Sequence, residues 1–244
     1  MSAKVQKKSG NTIFIMALAG IAVAGGGFIW WKTQQKPAEA ALVLPSVADS
    51  ALASKARGYT LGSPTAPVEI VEFADFECPA CGNFARITEP DVRKNLVETG
   101  KVRFTFYDFP LLNAHLNTIP ASMAAACADD QGKFWAMHDA LMLGQIEWNG
   151  QATDKPRKVI TSYAQNIGLD LPKWSACMDA GTHKERITAN YSLGMTKQVG
   201  STPTFFVNGQ MMRGAANYDD IKAAVDASIA ATLPIPSAVP AAGK

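Results

Sequence analysis

Along this 244-residue chain the spacing of apolar positions changes repeatedly, and each change marks an element. Residues 11–31 are almost continuously apolar and carry no charge. About 20 such residues span a bilayer, so this stretch predicts a transmembrane helix. Residues 32–57 are rich in Ala, Ser and Pro and lose all period, which reads as a linker. Residues 68–73, Val-Glu-Ile-Val-Glu-Phe, are short and rich in β-branched and aromatic side chains, the pattern of a buried strand. A helix is expected from Pro79 to about Glu98, with Phe84 and Ile87 facing inward, a kink or break at Pro90 and a stop at Gly100. Residues 101–107 then alternate polar and apolar, a second strand.

From about Leu111 the period is helical and stays so to about Val199. Residues 122–130 form an alanine-rich segment with Cys127, and 134–143 follow after Gly132. Asp154 and Pro156 open another helix, ended by Gly168. Asp170 and Pro172 open the next, which carries Trp174 and Cys177 and ends at Gly181. Thr182 and Glu185 have the spacing of a capping box, and the helix behind them puts Ile187, Tyr191 and Met195 on one face. Residues 204–212 read as strand, Asn208-Gly209 turn, strand. A last helix, capped by Asn217 or Asp219, places Ile221, Val225 and Ile229 on one face. The Pro/Ala-rich tail after it is expected to be disordered.

The formal net charge of +2 is unevenly distributed. Lys4, Lys7, Lys8, Lys32 and Lys36 precede residue 41, and so does Glu39. Removing these from 23 basic and 21 acidic residues leaves 18 against 20, a nearly neutral body with no basic stripe. Nucleic acid is therefore not an expected partner. Three lysines ahead of the apolar run keep the amino end in the cytoplasm, and Trp30 and Trp31 suit the far interface. Everything beyond them then lies outside the cytoplasm, anchored to the membrane. The alternative is a signal peptide cleaved near Ala40, after the small-x-small Ala38-Glu39-Ala40, leaving a soluble periplasmic protein. Both readings place the body in an oxidising compartment, which favours disulfide over metal chemistry.

The candidate chemistry lies between the first strand and the first helix, at Cys78-Pro79-Ala80-Cys81. At a helix N-terminus, unpaired N–H groups and the helix dipole favour a thiolate. Such a position, within a Cys-x-x-Cys pair, lowers a thiol pKa from about 8.5 into the range of roughly 3.5–7.5. Cys81, one turn further in, is shielded and placed to close a short disulfide with Cys78. The competing reading is half a zinc site, which normally needs a second ligand pair. Cys127 and Cys177 stand alone in sequence, and His115, His138 and His183 show no paired spacing, so no metal is expected and no cofactor either. His138 is expected to cap or pack a helix, and His115 and His183 to lie on the surface.

These motifs, in this order, resemble the DsbA-like branch of the thioredoxin superfamily. The resemblance covers about residues 58–231. It rests on Gly62-Ser63-Pro64, Glu72-Phe73, Asp75-Phe76, the Cys-Pro-Ala-Cys motif and Phe84; on Gln131-Gly132-Lys133-Phe134-Trp135 with His138-Asp139; and on Gly200-Ser201-Thr202-Pro203-Thr204. The implied fold is α/β: a thioredoxin fold with an inserted all-helical domain, preceded by one N-terminal transmembrane helix. The boundaries are a basic tail at 1–10, an anchor at 11–31, a linker at 32–57, thioredoxin-fold parts at 58–110 and 200–231, the helical insertion at 111–199 and a tail at 232–244.

The resemblance implies a thiol–disulfide oxidoreductase that introduces disulfides into unfolded or reduced exported proteins through Cys78 and Cys81. A quinone-linked membrane oxidase would reoxidise it. A cis Thr202–Pro203 bond would hold backbone beside Cys78, where an extended substrate could pair with Thr202. Glu72, six residues before Cys78, would be a buried acid handling the proton of Cys81. Ala80 departs from relatives that carry His there and adds no positive charge. Cys127 and Cys177, 50 positions apart, fit a structural disulfide, a loop that could add roughly 4 kcal/mol; two separate buried thiols are the alternative. The competing functions are a reductase or isomerase of the same fold, and a non-catalytic periplasmic chaperone or copper-binding module using the same thiols. No methionine cluster near Cys78 supports the last of these.

Overall fold

The structure is a computed structural model that describes residues 42, 44–214 and 216–232. The expected basic tail at 1–10, the anchor at 11–31, residues 32–41 and 43 of the linker, and residues 233–244 of the tail lie outside the described residues. No helix among the described residues is long and apolar enough to cross a membrane.

A five-stranded sheet has the order β1-β3-β2-β4-β5, with β1 Tyr59–Leu61, β2 Val68–Ala74, β3 Val102–Asp108, β4 Thr204–Val207 and β5 Gln210–Arg213. Only β2 and β3 pair in parallel, from Val68 opposite Val102 to Ala74 opposite Asp108. The helix between them makes the crossover that a parallel pair requires. Strand alternation divides the sheet into two faces. On one, Ile70, Phe104 and Phe205 pack with Phe84 of α2 (Pro79–Ile87) and with Ile221 and Val225 of α10 (Tyr218–Thr232). On the other, Phe73 and Phe206 pack with Phe109 and with Tyr191 and Met195 of α9 (Lys184–Thr196).

No strand interrupts residues 111–199. They form α4 (Thr118–Asp129), α5 (Phe134–Leu143), α6 (Gln145–Trp148), α7 (Arg157–Asn166), α8 (Leu171–Ala180) and α9. The alanine-rich α4 is their axis, buried on every side from Ala121 to Ala128, because small side chains let neighbouring helices approach closely. Trp174 of α8 donates its indole N–H to the Ala124 carbonyl at 3.1 Å. Cys127 of α4 and Cys177 of α8 are bonded, with Cα atoms 5.9 Å apart.

Several sequence expectations are corrected. The first strand, β1, is absent from the periodicity reading: three residues between Gly58 and Gly62 are too short to show a pattern. The stretch read as linker contains a short helix, α1 (Ser50–Ala53), with Asp49 accepting from the Ala51 and Leu52 amides. The helix expected to reach Glu98 breaks at Thr88, restarts as α3 (Glu89–Val92) with Pro90 in its first turn, and ends in a π-helical turn, Arg93–Val97. That break leaves nothing over Ile87, which is 63% exposed rather than inward. The capping box does not form: the Thr182 hydroxyl donates to the Cys177 carbonyl and Glu185 pairs with Lys55. Of the two expected caps on α10, Asn217 accepts from the Asp220 amide.

Candidate active site

Strand β2 delivers the chain to the Cys-x-x-Cys at the edge between sheet and helical block. Cys78 is the N-cap of α2 in extended conformation, and Pro79 starts the helix, where its missing N–H costs nothing. Both thiols are unbonded; Cys81 is fully buried and Cys78 nearly so. As a thiol, Cys78 donates to the Thr202 carbonyl at 3.4 Å. As a thiolate it accepts, in order of effect, from the Cys81 thiol, the Thr202 hydroxyl and the Cys81 and Ala80 amides. Together these outweigh burial and bring its pKa down to about 5. The Thr202 hydroxyl is buried with no other partner among the described residues, and the Thr202–Pro203 peptide is cis. Burial pushes the Cys81 thiol the other way, well above its ordinary value, reinforced by its bond to Cys78 and by the charges of Cys78 and Glu72.

Glu72 lies between Phe106 of β3 and Phe205 of β4 in the sheet register, both fully buried. Its Oε2 has no hydrogen-bond partner among the described residues. Burial, then repulsion from Glu89, raises its pKa well above the carboxylate range. Glu89 is itself buried and bonded to Arg93 Nε at 2.8 Å. Arg93 also holds Asp139 through two hydrogen bonds of 2.8 and 3.0 Å. His138 packs between the rings of Phe76 and Phe106 and bonds Asp139 at 2.9 Å, a packing role as expected.

Sequence periodicity missed the residues that fix the motif in place. Asp75 is fully buried, and its carboxylate accepts from the Glu77 amide (2.8 Å), the Leu111 amide (2.7 Å) and His115 Nδ1 (2.7 Å). Glu77 accepts from the amides of Asn117 (2.6 Å) and Gly150. Gln145 of α6 donates to the carbonyls of Phe76 (2.7 Å) and Cys78 (2.9 Å). It approaches α2 so closely that a Cβ on Gly82 would lie 2.2 Å from its Oε1 and would push the Gln145 carboxamide out of its bonds to Phe76 and Cys78. His115 and His183 are not surface residues: each side chain is about 15% exposed or less, paired with Asp75 and Asp130 respectively. The bond to Asp75 raises the His115 pKa, helped by the charges of Asp75, Cys78 and Glu77. His115, in the loop before α4, is thus biased toward its charged form by Asp75. A pair of acids on either side of Phe76, just ahead of the cysteines, was the available sequence signal.

The sequence model of the thioredoxin family matches residues 54–227. The Na(+)/H(+) antiporter NhaA 3 of Salinispora tropica is 36% identical over 174 residues, covering 71% of this chain and 25% of that protein. The chain thus spans a quarter of the length of that relative. A probable disulfide bond formation protein D of Bacillus anthracis is 25% identical over 173 residues, covering 68% of this chain and 76% of the relative. The crystal structure of Wolbachia pipientis alpha-DsbA1 shares the fold, with a TM-score of 0.62 at 21% identity over 72% of this chain and 94% of that one. The chain belongs to the thioredoxin family.

Proposed function

We propose that this chain is an oxidase, which introduces disulfides into exported proteins through Cys78 and Cys81. The observation that carries this reading is the opposite displacement of the two thiols, Cys78 down to about 5 and Cys81 up. A stabilised Cys78 thiolate is a good leaving group and favours the reduced enzyme, so electrons flow from substrate to enzyme.

A substrate thiolate attacks Sγ of Cys78 in the oxidised enzyme, forming a mixed disulfide and expelling Cys81. Cys81 leaves as a strongly basic thiolate and takes up a proton, which Glu72 supplies because burial keeps it protonated. A second substrate thiolate then attacks the substrate sulfur of the mixed disulfide and expels Cys78 as a thiolate. The substrate has lost two electrons and two protons; one proton restores Glu72 in place of that given to Cys81, and the other passes to solvent. Thr202 and Pro203 border Cys78, and the extended backbone before β4 suits pairing with a substrate strand. A quinone-linked membrane oxidase takes the two electrons onward. An anchor at 11–31 would hold the domain outside the cytoplasm, supported by the three lysines that precede the uncharged run.

The test mixes the oxidised full chain with a reduced, unfolded protein. Disulfides should form at a rate that Cys78→Ser reduces to the uncatalysed background, and a chaperone or copper binder would show no such turnover. Equilibration with glutathione should place the potential above roughly −200 mV, on the oxidising side of the glutaredoxins. A value near that of thioredoxin, about −270 mV, would overturn the oxidase in favour of a reductase.

A further inference from the structure

Cys81 has no exposed surface, and a client bonded to Cys78 closes the front of the site. Protons for Cys81 must therefore cross the protein behind it. Besides Cys78, the ionisable group acting on Cys81 is Glu72, and beyond Cys78 the charged groups acting on Glu72 are Glu89 and Arg93. Glu89 opens α3 and Arg93, one turn on, begins the π turn, so both side chains project to the same side. There they meet His138 and Asp139 of α5. Glu89 is 2% exposed, yet it lines a cavity of about 390 Å³ that opens to solvent, together with Ala85, Pro90, Asp139 and Leu143. The buried groups between that cavity and Cys81 are acceptors facing one another. His138, fully buried, donates its Nδ1–H to Asp139 Oδ1 at 2.9 Å, which leaves Nε2 with a bare lone pair. Nε2 stands 3.9 Å from Glu89 Oε2 and has no hydrogen-bond partner among the described residues. Glu72 Oε2 is a further buried oxygen without one. Glu72 sits opposite Phe106 in the sheet, and the Phe106 ring lies 5.2 Å from that of His138. Lone pairs gathered in this way repel unless hydrogens lie among them. The gap of 3.9 Å suits one water molecule donating to both neighbours rather than a direct bond.

We propose that Glu89 and His138, bridged by water, carry protons between this cavity and Glu72. They act through Glu72 and touch neither sulfur. The proposal rests on Glu72 exchanging a proton with Cys81, as in the proposed oxidase cycle, and not on the direction of electron flow. When Cys81 leaves as a thiolate, the O–H bond of the Glu72 carboxyl breaks and its proton moves to the sulfur. The carboxylate left on Glu72 takes a proton from the bridging water. Glu89 or His138 makes that loss good and is itself resupplied from water in the cavity. The net step is uptake of one proton at the cavity, with no electron moved. When Cys81 attacks a disulfide at Cys78, the path runs outward and releases one proton. Arg93, bonded to Glu89 at 2.8 Å and to Asp139 at 2.8 and 3.0 Å, holds both residues at the cavity wall. Client capture at the front and proton traffic at the back then use separate openings.

The test follows the full chain, with Cys78 and Cys81 reduced, as it reacts with oxidised glutathione in a stopped-flow instrument. The Cys78 thiolate first attacks and forms a mixed disulfide, a step that moves no proton of Cys81. Cys81 then attacks Cys78, expels glutathione as a thiolate and must shed its own proton. Glu89→Gln and His138→Gln should each slow the second step at least about tenfold and leave the first within about twofold of the parent. A group in direct contact would supply roughly 10²–10⁴-fold, and each variant leaves the other carrier in place. Formate, small enough for the cavity, should restore the second step of Glu89→Ala as its concentration rises, which a packing role would not allow. A second step that Glu89→Gln leaves unchanged while Glu72→Gln slows it would overturn the relay and leave the Glu72 assignment standing. A second step that Glu72→Gln leaves unmoved would overturn both. Equal slowing of the two steps, or a Glu89→Ala rate that formate does not raise, would show that the variants act by disturbing the fold and would overturn the proposal. The Glu89 variants decide the matter even if His138→Gln does not fold, because Glu89 lies at the cavity wall.

Discussion

Cys78 and Cys81 lie at the first turn of a helix, one beside the surface and one beneath it, while Cys127 and Cys177 join two helices inside the insert. Around the first pair, hydrogen-bond donors converge on one sulfur: a thiol, a hydroxyl and two amides. Around the second pair the polar neighbours, Asp130 and His183, are bonded to each other. The first pair is therefore set up for one sulfur to carry charge and depart, whereas the second closes a covalent loop between packed helices. Two dithiols in one chain differ in use because the backbone around one presents unsatisfied donors and the backbone around the other is already paired within helices.

The sharpest way to break this contrast is to remove the second pair. Cys127→Ala with Cys177→Ala should lower unfolding stability by about 4 kcal/mol on a chain-entropy estimate, read from denaturant midpoints of the oxidised protein. Turnover below the new melting temperature should stay near that of the parent; an equal loss of turnover would erase the distinction between the pairs. Next in size, Cys81→Ala removes the largest contributor to the low Cys78 pKa. A hydrogen bond to a charged group is worth about 1.5–3 kcal/mol, so thiolate absorbance should show Cys78 titrating about 1–2 units higher. The same variant should accumulate mixed disulfides, visible on non-reducing gels, because the resolving thiol is gone.

A pH series sharpens the comparison further. A thiol whose folded pKa is depressed stabilises the reduced fold above its unfolded pKa, and that contribution is lost as pH falls through about 5. The stability of reduced relative to oxidised protein should therefore grow between pH 5 and pH 8, measured from paired urea midpoints. A flat difference would mean Cys78 is an ordinary thiol. The smallest effect is expected from His115→Ala, which removes a partly charged ring near Cys78. It should raise the Cys78 pKa by about half a unit or less, as fits a charge already shared with Asp75. The His115 pair itself contributes stability below the ordinary histidine pKa that fades as pH rises through its elevated one.

Much of the architecture was legible in the chain. Residues 134–143 are bounded by Gly132 and Gly144, and the helix occupies that interval. Gly181 takes a left-handed φ of 63° and ends α8, and Asn208-Gly209 turns the hairpin with φ values of 44° and 83°. These succeed because one residue dictates the local backbone. Ile87 and the Thr182–Glu185 spacing misled because their outcome depends on what lies opposite, and periodicity does not know that the helix stops at Thr88. Apart from the local bond between Asp75 and the Glu77 amide, the bonds of Asp75 and Glu77 span 36 to 73 positions and those of Gln145 to Phe76 and Cys78 fall within that range, so no window of sequence contains both partners. The half-buried Arg93–Asp139 pair was hidden for the same reason, since α5 meets the π turn only in the folded chain.

The carboxylates of Asp75 and Glu77 have a mechanical consequence. Between them they hold amides or side chains of Leu111, His115, Asn117 and Gly150, which belong to loops of the insert, and they do so within three residues of Cys78. A hinge opening between insert and sheet would have to tear these bonds at the very spot where the chemistry takes place. The pivot of the molecule and its reacting atom are thus one locus, and the two halves form a fixed jaw. On the proposed oxidase function, widening such a jaw would not admit a folded client. The client would itself have to bend, presenting a loose strand to the rim at Thr202, and its own slackness would set the timing of disulfide formation.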